Sequence, residues 1–345
     1  MADPVTGGAS GTSGASGAMI DTFGRRIDYL RLSLTDRCDF RCTYCLPEHA
    51  TFAPRVEQLT IGELDRLAST FIGLGVTKLR LTGGEPLVRK GADELIRSLG
   101  RHLRSGGLAE LTLTTNGSQL ERHVDTLAKA GIRRINVSLD HLDRDRFHKI
   151  TRGGDLGAVI RGIDAARAAG IAVKINTVVL RDDNLDHLPE LVGWAHGRGM
   201  AVTLIEVMPV GDIGADRLSQ HVPMPVARAA IERTMPLADV AHRTGGPARY
   251  AITSSGAMVG FITPLSAKFC DGCNRVRVDA SGQLHACLGR DEAVDLKAAL
   301  REHGDDRALE GAIRELIARK PREHDFRIAA SGPAAVARPM AATGG

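Results

Sequence analysis

Aromatic side chains are scarce in this chain of 345 residues, with three Tyr, one Trp and eight Phe. That is too few for the base-stacking platform a single-stranded nucleic acid requires. Neither sign of charge dominates: 45 Lys and Arg against 41 Asp and Glu leave a net charge of +4, and no Lys/Arg-rich block stands out. Nucleic acid is therefore not an expected partner. No run approaches the ~20 apolar residues of a membrane span, so no membrane association is expected. The twelve His are scattered, without an H-x-x-x-H pair, and give no metal motif. The chain has only six Cys. They fall into two clustered sets of three, which fits a reducing cytoplasm better than a disulfide framework.

What is present is the composition of a globular protein, 43% hydrophobic and 25% charged, long enough for one large core plus an extension. Residues 1–19 are rich in Gly, Ser, Ala and Thr and lack the apolar centre of a secretory signal; they read as a flexible tail. From Tyr29 on, strand and helix signals alternate. Strands are expected over Tyr29–Leu34, Lys78–Leu81, Glu110–Thr114, Arg134–Ser138, Ala172–Val178 and Val202–Glu206. Between them lie amphipathic helical segments, one starting at Thr60 with a Thr60/Glu63 capping box, the others near Ala92–Leu103, Gln119–Ala130, Leu156–Ala169 and His187–Gly197. Six β-α units predict a parallel, barrel-like sheet, short of the eight units of a full TIM barrel. After Pro223 the pattern changes to a helix over Met224–Thr234, short strands near Arg249–Ile252 and Met258–Ile262, and helical signal from Leu296 to Arg319, read as a C-terminal extension. The expected domains are a tail over 1–19, a barrel domain over 20–240, an extension over 241–330 and a tail over 331–345.

Strand alternation places cations inside the barrel. Leu30, Leu32 and Leu34 share one face of the first strand, so Arg31 takes the other. Lys78 and Arg80 likewise oppose Leu79 and Leu81, and Lys174 and Asn176 oppose Val173 and Ile175. Interior cations need a partner, either water and barrel carboxylates or an anionic ligand.

The first cysteine set, Cys38, Cys42 and Cys45, has the spacing C-x3-C-x2-C in the run CDFRCTYC. Three thiolates can hold three irons of a [4Fe–4S] cube and leave the fourth open to a small molecule. A closed structural zinc site wants four ligands instead. The second set, Cys270, Cys273 and Cys287, is C-x2-C-x13-C, a pattern that zinc ribbons also use. Arg275 and Arg277 follow it on one face of a strand, suited to phosphate or another polyanion, or else to a solvated face. Gly83-Gly84-Glu85-Pro86 directly follows the second strand, where a glycine lets backbone approach a ligand closely, or simply makes a tight turn into a helix.

The run C-x3-C-x-aromatic-C, with Tyr44 as the aromatic, resembles the signature of the radical S-adenosylmethionine (SAM) enzymes. Together with LRLTGGEPLVR, LTTNG, INVSLD, VKINTV, IEVMPVG, FCDGCNRVRV, Cys287 and a terminal Gly344-Gly345, the chain from about Phe23 onward resembles the GTP 3′,8-cyclases of molybdenum cofactor biosynthesis, the MoaA-type lyases. The resemblance implies an open (β/α)6 partial TIM barrel in the α/β class, with a C-terminal α+β extension carrying a second Fe–S cluster. It implies two [4Fe–4S] clusters and SAM as cofactors. Cys38, Cys42 and Cys45 would hold the SAM cluster and Cys270, Cys273 and Cys287 the cluster whose open iron takes guanine. Tyr44, Gly84, Ser138 and Met208 match SAM-contacting positions. Arg31, Arg80, Thr114, Lys174, Arg275, the backbone of Val276 and Arg277 match GTP-contacting ones. Gly344 and Gly345 match a tail that reaches the radical centre.

The implied reaction starts with a 5′-deoxyadenosyl radical that takes the hydrogen at ribose C3′ of GTP; attack on guanine C8 and a one-electron reduction give (8S)-3′,8-cyclo-7,8-dihydroguanosine 5′-triphosphate. Implied partners are an electron donor such as flavodoxin or ferredoxin, a cyclic pyranopterin monophosphate synthase that receives the product, and a second copy of the chain in a homodimer. One departure is Thr203, where the family commonly has Arg in R-F-I-E. The rival readings are another two-cluster radical SAM enzyme, such as a peptide-modifying maturase, and a non-catalytic Fe–S or zinc-binding protein. Maturases usually carry more C-terminal cysteines, and electron carriers saturate their clusters with four.

Overall fold

The computed structural model describes residues 17–213, 219–302, 306–326 and 336–344. Six strands alternate with helices from Tyr29 onward: β1 (Tyr29–Ser33), α1 (Ile61–Gly73), β2 (Lys78–Thr82), α2 (Ala92–Arg104), β3 (Glu110–Thr115), α3 (Leu120–Lys129), β4 (Arg134–Ser138), α4 (Arg144–Thr151), α5 (Leu156–Ala168), β5 (Ala172–Val178), α6 (Leu188–His196) and β6 (Ala201–Ile205). All neighbouring pairs from β1 to β6 are parallel. Local chemistry sets the boundaries. Thr60 caps α1 through the expected reciprocal box, its side chain accepting from Glu63 N and Glu63 accepting from Thr60 N. Leu64, Leu67 and Phe71 form the stripe that α1 buries against the sheet.

After these come α7 (Met224–Glu232), β7 (Leu237–Val240), β8 (Arg249–Thr253), β9 (Met258–Ile262), β10 (Arg275–Val278), β11 (Gln283–His285), β12 (Ala293–Asp295), α8 (Leu296–Glu302), α9 (Arg307–Ala318) and the short α10 (Met340–Thr343). These later strands continue the barrel sheet at both edges. β9 pairs parallel with β6, and β10 pairs parallel with β1. The twelve strands run in the order β12-β11-β10-β1-β2-β3-β4-β5-β6-β9-β8-β7. Eight consecutive strands, from β10 to β9, are therefore parallel, two of them supplied by the segment that follows the six β-α units. The helical signal from Leu296 to Arg319 is two helices, α8 and α9.

The helix-facing residues form one apolar core, including Leu30, Leu32, Leu79, Leu81, Val173, Ile175, Val276 and Val278. The alternate residues face the barrel interior. Register puts Arg277, Arg31 and Arg80 side by side in β10, β1 and β2, with Arg275, Tyr29 and Lys78 as the row next to them. Among the described residues no helix is long and apolar enough to cross a membrane.

Candidate active site

A cavity of ≈ 280 Å³ inside the barrel is lined by all six cysteines, by Arg31, Arg80, Lys174, Arg275 and Arg277, and by Tyr44, Gly84, Thr114, Ser138, Met208 and Gly344. Every residue matched from the sequence to a cluster, SAM, GTP or tail position is thus on the wall of one space, except two. The Val276 side chain is buried in the core on the opposite face of β10, leaving only its backbone between the two arginines. Gly345 lies outside the described residues, as do residues 1–16 and 327–335 of the expected tails and extension.

The first cysteine loop is held by α4, a helix the sequence reading did not find. Arg41 N and Thr43 N donate to the carbonyls of Thr151 and Ile150, both at 2.9 Å, and Phe40 packs edge-on to Phe147 at 5.9 Å. The signal for α4 was present in Asp143, whose carboxylate accepts from Arg146 N as an N-cap. The Gly-Gly turn after β2 braces the other side. Its expected role was close approach to a ligand; the structure adds a second approach, to the cysteine loop. A Cβ on Gly84 would stand 2.3 Å from the Arg37 carbonyl oxygen, and Gly84 N and Glu85 N donate to Thr35 O and Arg37 O at 2.8 Å. Glu85 is fully buried and accepts from Leu87 N, Thr115 Oγ1 and Asn116 N. Burial raises its carboxyl to about 7 against those hydrogen bonds. Tyr44 is fixed by donating its hydroxyl to Asp140 at 2.7 Å.

None of the six cysteines is in a disulfide, and all are partly buried. Burial pushes the Cys38 and Cys42 thiols up, the Cys38 thiol also through the Glu85 charge and the Cys42 thiol through Asp140. Burial acts the same way on Cys273, but Arg275 and Lys320 outweigh it and bring that thiol down to about 6. Among the described residues no three His, Cys, Asp or Glu side chains are grouped as around a single metal ion. A zinc site gathers its ligands within ~2.3 Å of one centre, whereas a cube offers each thiolate its own iron. Two sets of three thiols facing one cavity fit two cubes.

The cations between the two sets divide by partner. Glu110 neutralises Lys78 at 2.8 Å and Arg134 at 2.5 Å. Arg31, Arg80, Lys174, Arg275 and Arg277 have no carboxylate partner among the described residues. Two nitrogens of buried Arg31 have no hydrogen-bond partner among the described residues. Burial and then Arg277 hold the Arg31 guanidinium well below its usual value. Burial and then Arg275 bring Arg277 down to about 9. Burial, then Arg134, Arg80 and Lys78 bring Lys174 down to about 7. Each shift has the same cause, a buried group of like charges short of anions. Arg80 donates to Thr114 Oγ1 at 3.1 Å and Lys174 to the Tyr250 hydroxyl at 2.7 Å. Lys78 and Tyr250, both on the wall, were not carried into the site from sequence, although alternation had turned Lys78 inward. Thr203 faces the same cavity from β6, its hydroxyl buried and without a hydrogen-bond partner among the described residues.

Comparison with known proteins shows the family. Residues 32–195 match the Radical SAM superfamily and residues 200–326 match Molybdenum Cofactor Synthesis C. The fold is similar to that of Streptococcus suis SuiB bound to S-adenosylmethionine, with a TM-score of 0.56 and 17% identity over 85% of this chain and 67% of that one. SuiB bound to the precursor peptide SuiA gives a TM-score of 0.59 at 17% identity, over 83% and 66%. Among curated proteins, GTP 3′,8-cyclase of Caulobacter vibrioides is 57% identical over 97% of this chain and 95% of its own length. GTP 3′,8-cyclase of Rhodopseudomonas palustris is 56% identical over 95% and 96%, and that of Brucella canis 57% identical over the same shares. The fold and the cysteine loop define a radical SAM protein. Within that superfamily the chain belongs to the GTP 3′,8-cyclase family.

Proposed function

We infer that this chain converts GTP to (8S)-3′,8-cyclo-7,8-dihydroguanosine 5′-triphosphate in the first step of molybdenum cofactor biosynthesis. The observation that carries the reading is the set of five cations without a carboxylate partner, lying between two cysteine triads in one cavity. A triphosphate supplies the anions these groups lack.

Cys38, Cys42 and Cys45 would hold the cluster that binds SAM, and Cys270, Cys273 and Cys287 the one that receives guanine. When bound, the first cluster and SAM supply a 5′-deoxyadenosyl radical, the chemistry that belongs to the cofactor rather than to the protein. Gly84, Ser138, Met208 and the backbone of Tyr44 would seat SAM. Arg31, Arg80, Lys174, Arg275 and Arg277, with Thr114 and the Val276 backbone, would hold the triphosphate and ribose so that C3′ faces the radical. Gly344 and Gly345 would close the site from the tail. Thr203 gives this chain a neutral hydroxyl at a position where the family commonly has Arg.

The family also supports a flavodoxin- or ferredoxin-type electron donor, a cyclic pyranopterin monophosphate synthase as the next enzyme, a homodimer and a cytoplasmic location. The reading is tested by anaerobic incubation of reconstituted protein with SAM, dithionite and either GTP or ATP. Formation of 5′-deoxyadenosine with loss of GTP and no loss of ATP is expected; SAM cleavage that leaves GTP intact would contradict it.

A further inference from the structure

Three cations bind the backbone that carries the second cysteine set. Arg25 donates to the Cys270 carbonyl at 2.9 Å, as well as to Arg322 O and Pro321 O. Arg338 donates to Cys287 O at 3.1 Å and Leu288 O at 2.7 Å. Lys320, just beyond α9, donates to Arg275 O at 2.9 Å and to Ala286 O, the residue before Cys287.

Two of the three have their charge balanced by the protein. Arg25 pairs with Asp21 at 2.6 Å, both buried, and Arg338 with Asp291 at 3.3 Å. Lys320 has no carboxylate partner among the described residues, yet it is only 2% exposed. Burial lowers its pKa; the thiols of Cys273 and Cys287 act against that, and Arg25 and Arg275 add to it. A buried ammonium without a counter-charge costs several kcal/mol. Two carbonyl acceptors solvate it but do not neutralise it. Its two acceptors stand beside Cys287 and two residues from Cys273, so the positive charge lies against the backbone that holds two of the three thiols of the second triad.

We propose that Lys320 is the built-in counter-cation of the second iron–sulfur cluster, compensating the negative charge that three thiolates give the cube and setting the potential of that cluster apart from the first. The inference rests on the two-cluster reading above. A cluster's potential follows net charge, hydrogen bonding and exposure, so removing a fixed positive charge beside it makes its reduction harder. Lys320 holds the backbone of the second set and donates to neither the Cys38–Cys45 loop nor the SAM-side residues, so the larger shift is expected at the second cluster.

The test is a spectroscopic redox titration of the anaerobically reconstituted full chain without substrate, in the parent, Lys320→Gln and Lys320→Arg. Gln keeps an amide donor for one carbonyl and removes the charge; Arg keeps the charge. The parent should carry about eight irons, four per cube, in two distinguishable clusters, with Cys270→Ala removing one of them. In Lys320→Gln the second cluster should need about tenfold stronger reducing conditions, ~59 mV lower for a one-electron couple, or be lost while the first is retained. Lys320→Arg should keep the parent value. An unshifted second cluster in Lys320→Gln would overturn the inference, and so would its loss in Lys320→Arg. If Lys320→Gln loses both clusters through misfolding, the Lys320→Arg result decides. A parent protein with one cluster would overturn the two-cluster reading and the inference with it, whereas two clusters without a shift overturn the inference alone.

Discussion

Arg277 Nη1 donates to the Gly344 carbonyl at 2.6 Å, joining a barrel strand to the far end of the chain across 67 residues. A segment of Ala, Pro and Gly would ordinarily fray. Here Val336 bridges to Val210, Gly211 N donates to Val336 O at 2.8 Å, and the Thr82 hydroxyl reaches Thr343 O at 3.4 Å. Gly344 ends up on the cavity wall.

The fit at Gly344 admits no side chain. Its φ is +71°, and a Cβ there would meet Thr82 Cβ at 2.4 Å. Gly344→Ala, or deletion of Gly344 and Gly345, should lower cyclisation sharply while both clusters still assemble. Product formation at matched iron content checks this; a rate equal to the parent's would mean that the tail end plays no part.

The two cysteine sets should separate two activities. Cys38→Ala, Cys42→Ala and Cys45→Ala should abolish SAM cleavage. Cys270→Ala, Cys273→Ala and Cys287→Ala should keep some reductive SAM cleavage and lose cyclisation. Chromatographic assay of 5′-deoxyadenosine in each variant distinguishes them, and equal loss in both sets would refute the division.

Arg275 and Arg277, which have no carboxylate partner among the described residues, should matter to GTP far more than to SAM. Arg275→Ala or Arg277→Ala removes a charge-assisted contact, so GTP binding should weaken by about 1.5–3 kcal/mol with SAM binding nearly unchanged. Calorimetric titration with each ligand reads both numbers. Unaltered GTP affinity would remove these side chains from the substrate site.

Much of this site could be read from the sequence because its parts are local. The cysteine spacings are contiguous, and a period of two turns Arg31, Arg80 and Lys174 inward wherever Leu30, Leu79 and Val173 face the helices. What could not be read was set by tertiary pairing. Nothing local tells β10 to lie beside β1 rather than in a separate layer, yet that pairing puts Arg277 next to Arg31. The same limit explains Lys78. Alternation turned it inward with Arg80, but only the structure shows Glu110 neutralising it. The helix α4 is polar apart from Phe147 and Ile150, so its periodicity was too weak to see. The break between α8 and α9 was hidden by helical composition on both sides.

Lys174 gives the binding step a pH signature. Its ammonium is brought down to about 7 in the ligand-free protein by burial and then by Arg134, Arg80 and Lys78. At pH 8 it is mostly neutral. A triphosphate beside it restores the charge, so GTP binding should take up close to one proton there, and affinity should fall as pH rises above 7. Calorimetry at pH 8 in buffers of different ionisation enthalpy measures the uptake, which should be lost in Lys174→Gln. Proton-independent binding in the parent would show that Lys174 does not meet the phosphates.

The central claim is that the cavity between the two cysteine sets presents the ribose of GTP to the radical formed at the first set. GTP carrying deuterium at C3′ tests it most directly. Anaerobic turnover with SAM and dithionite should place that deuterium in 5′-deoxyadenosine while the labelled GTP is consumed. Deuterium retained in the nucleotide, with 5′-deoxyadenosine formed unlabelled, would contradict the account.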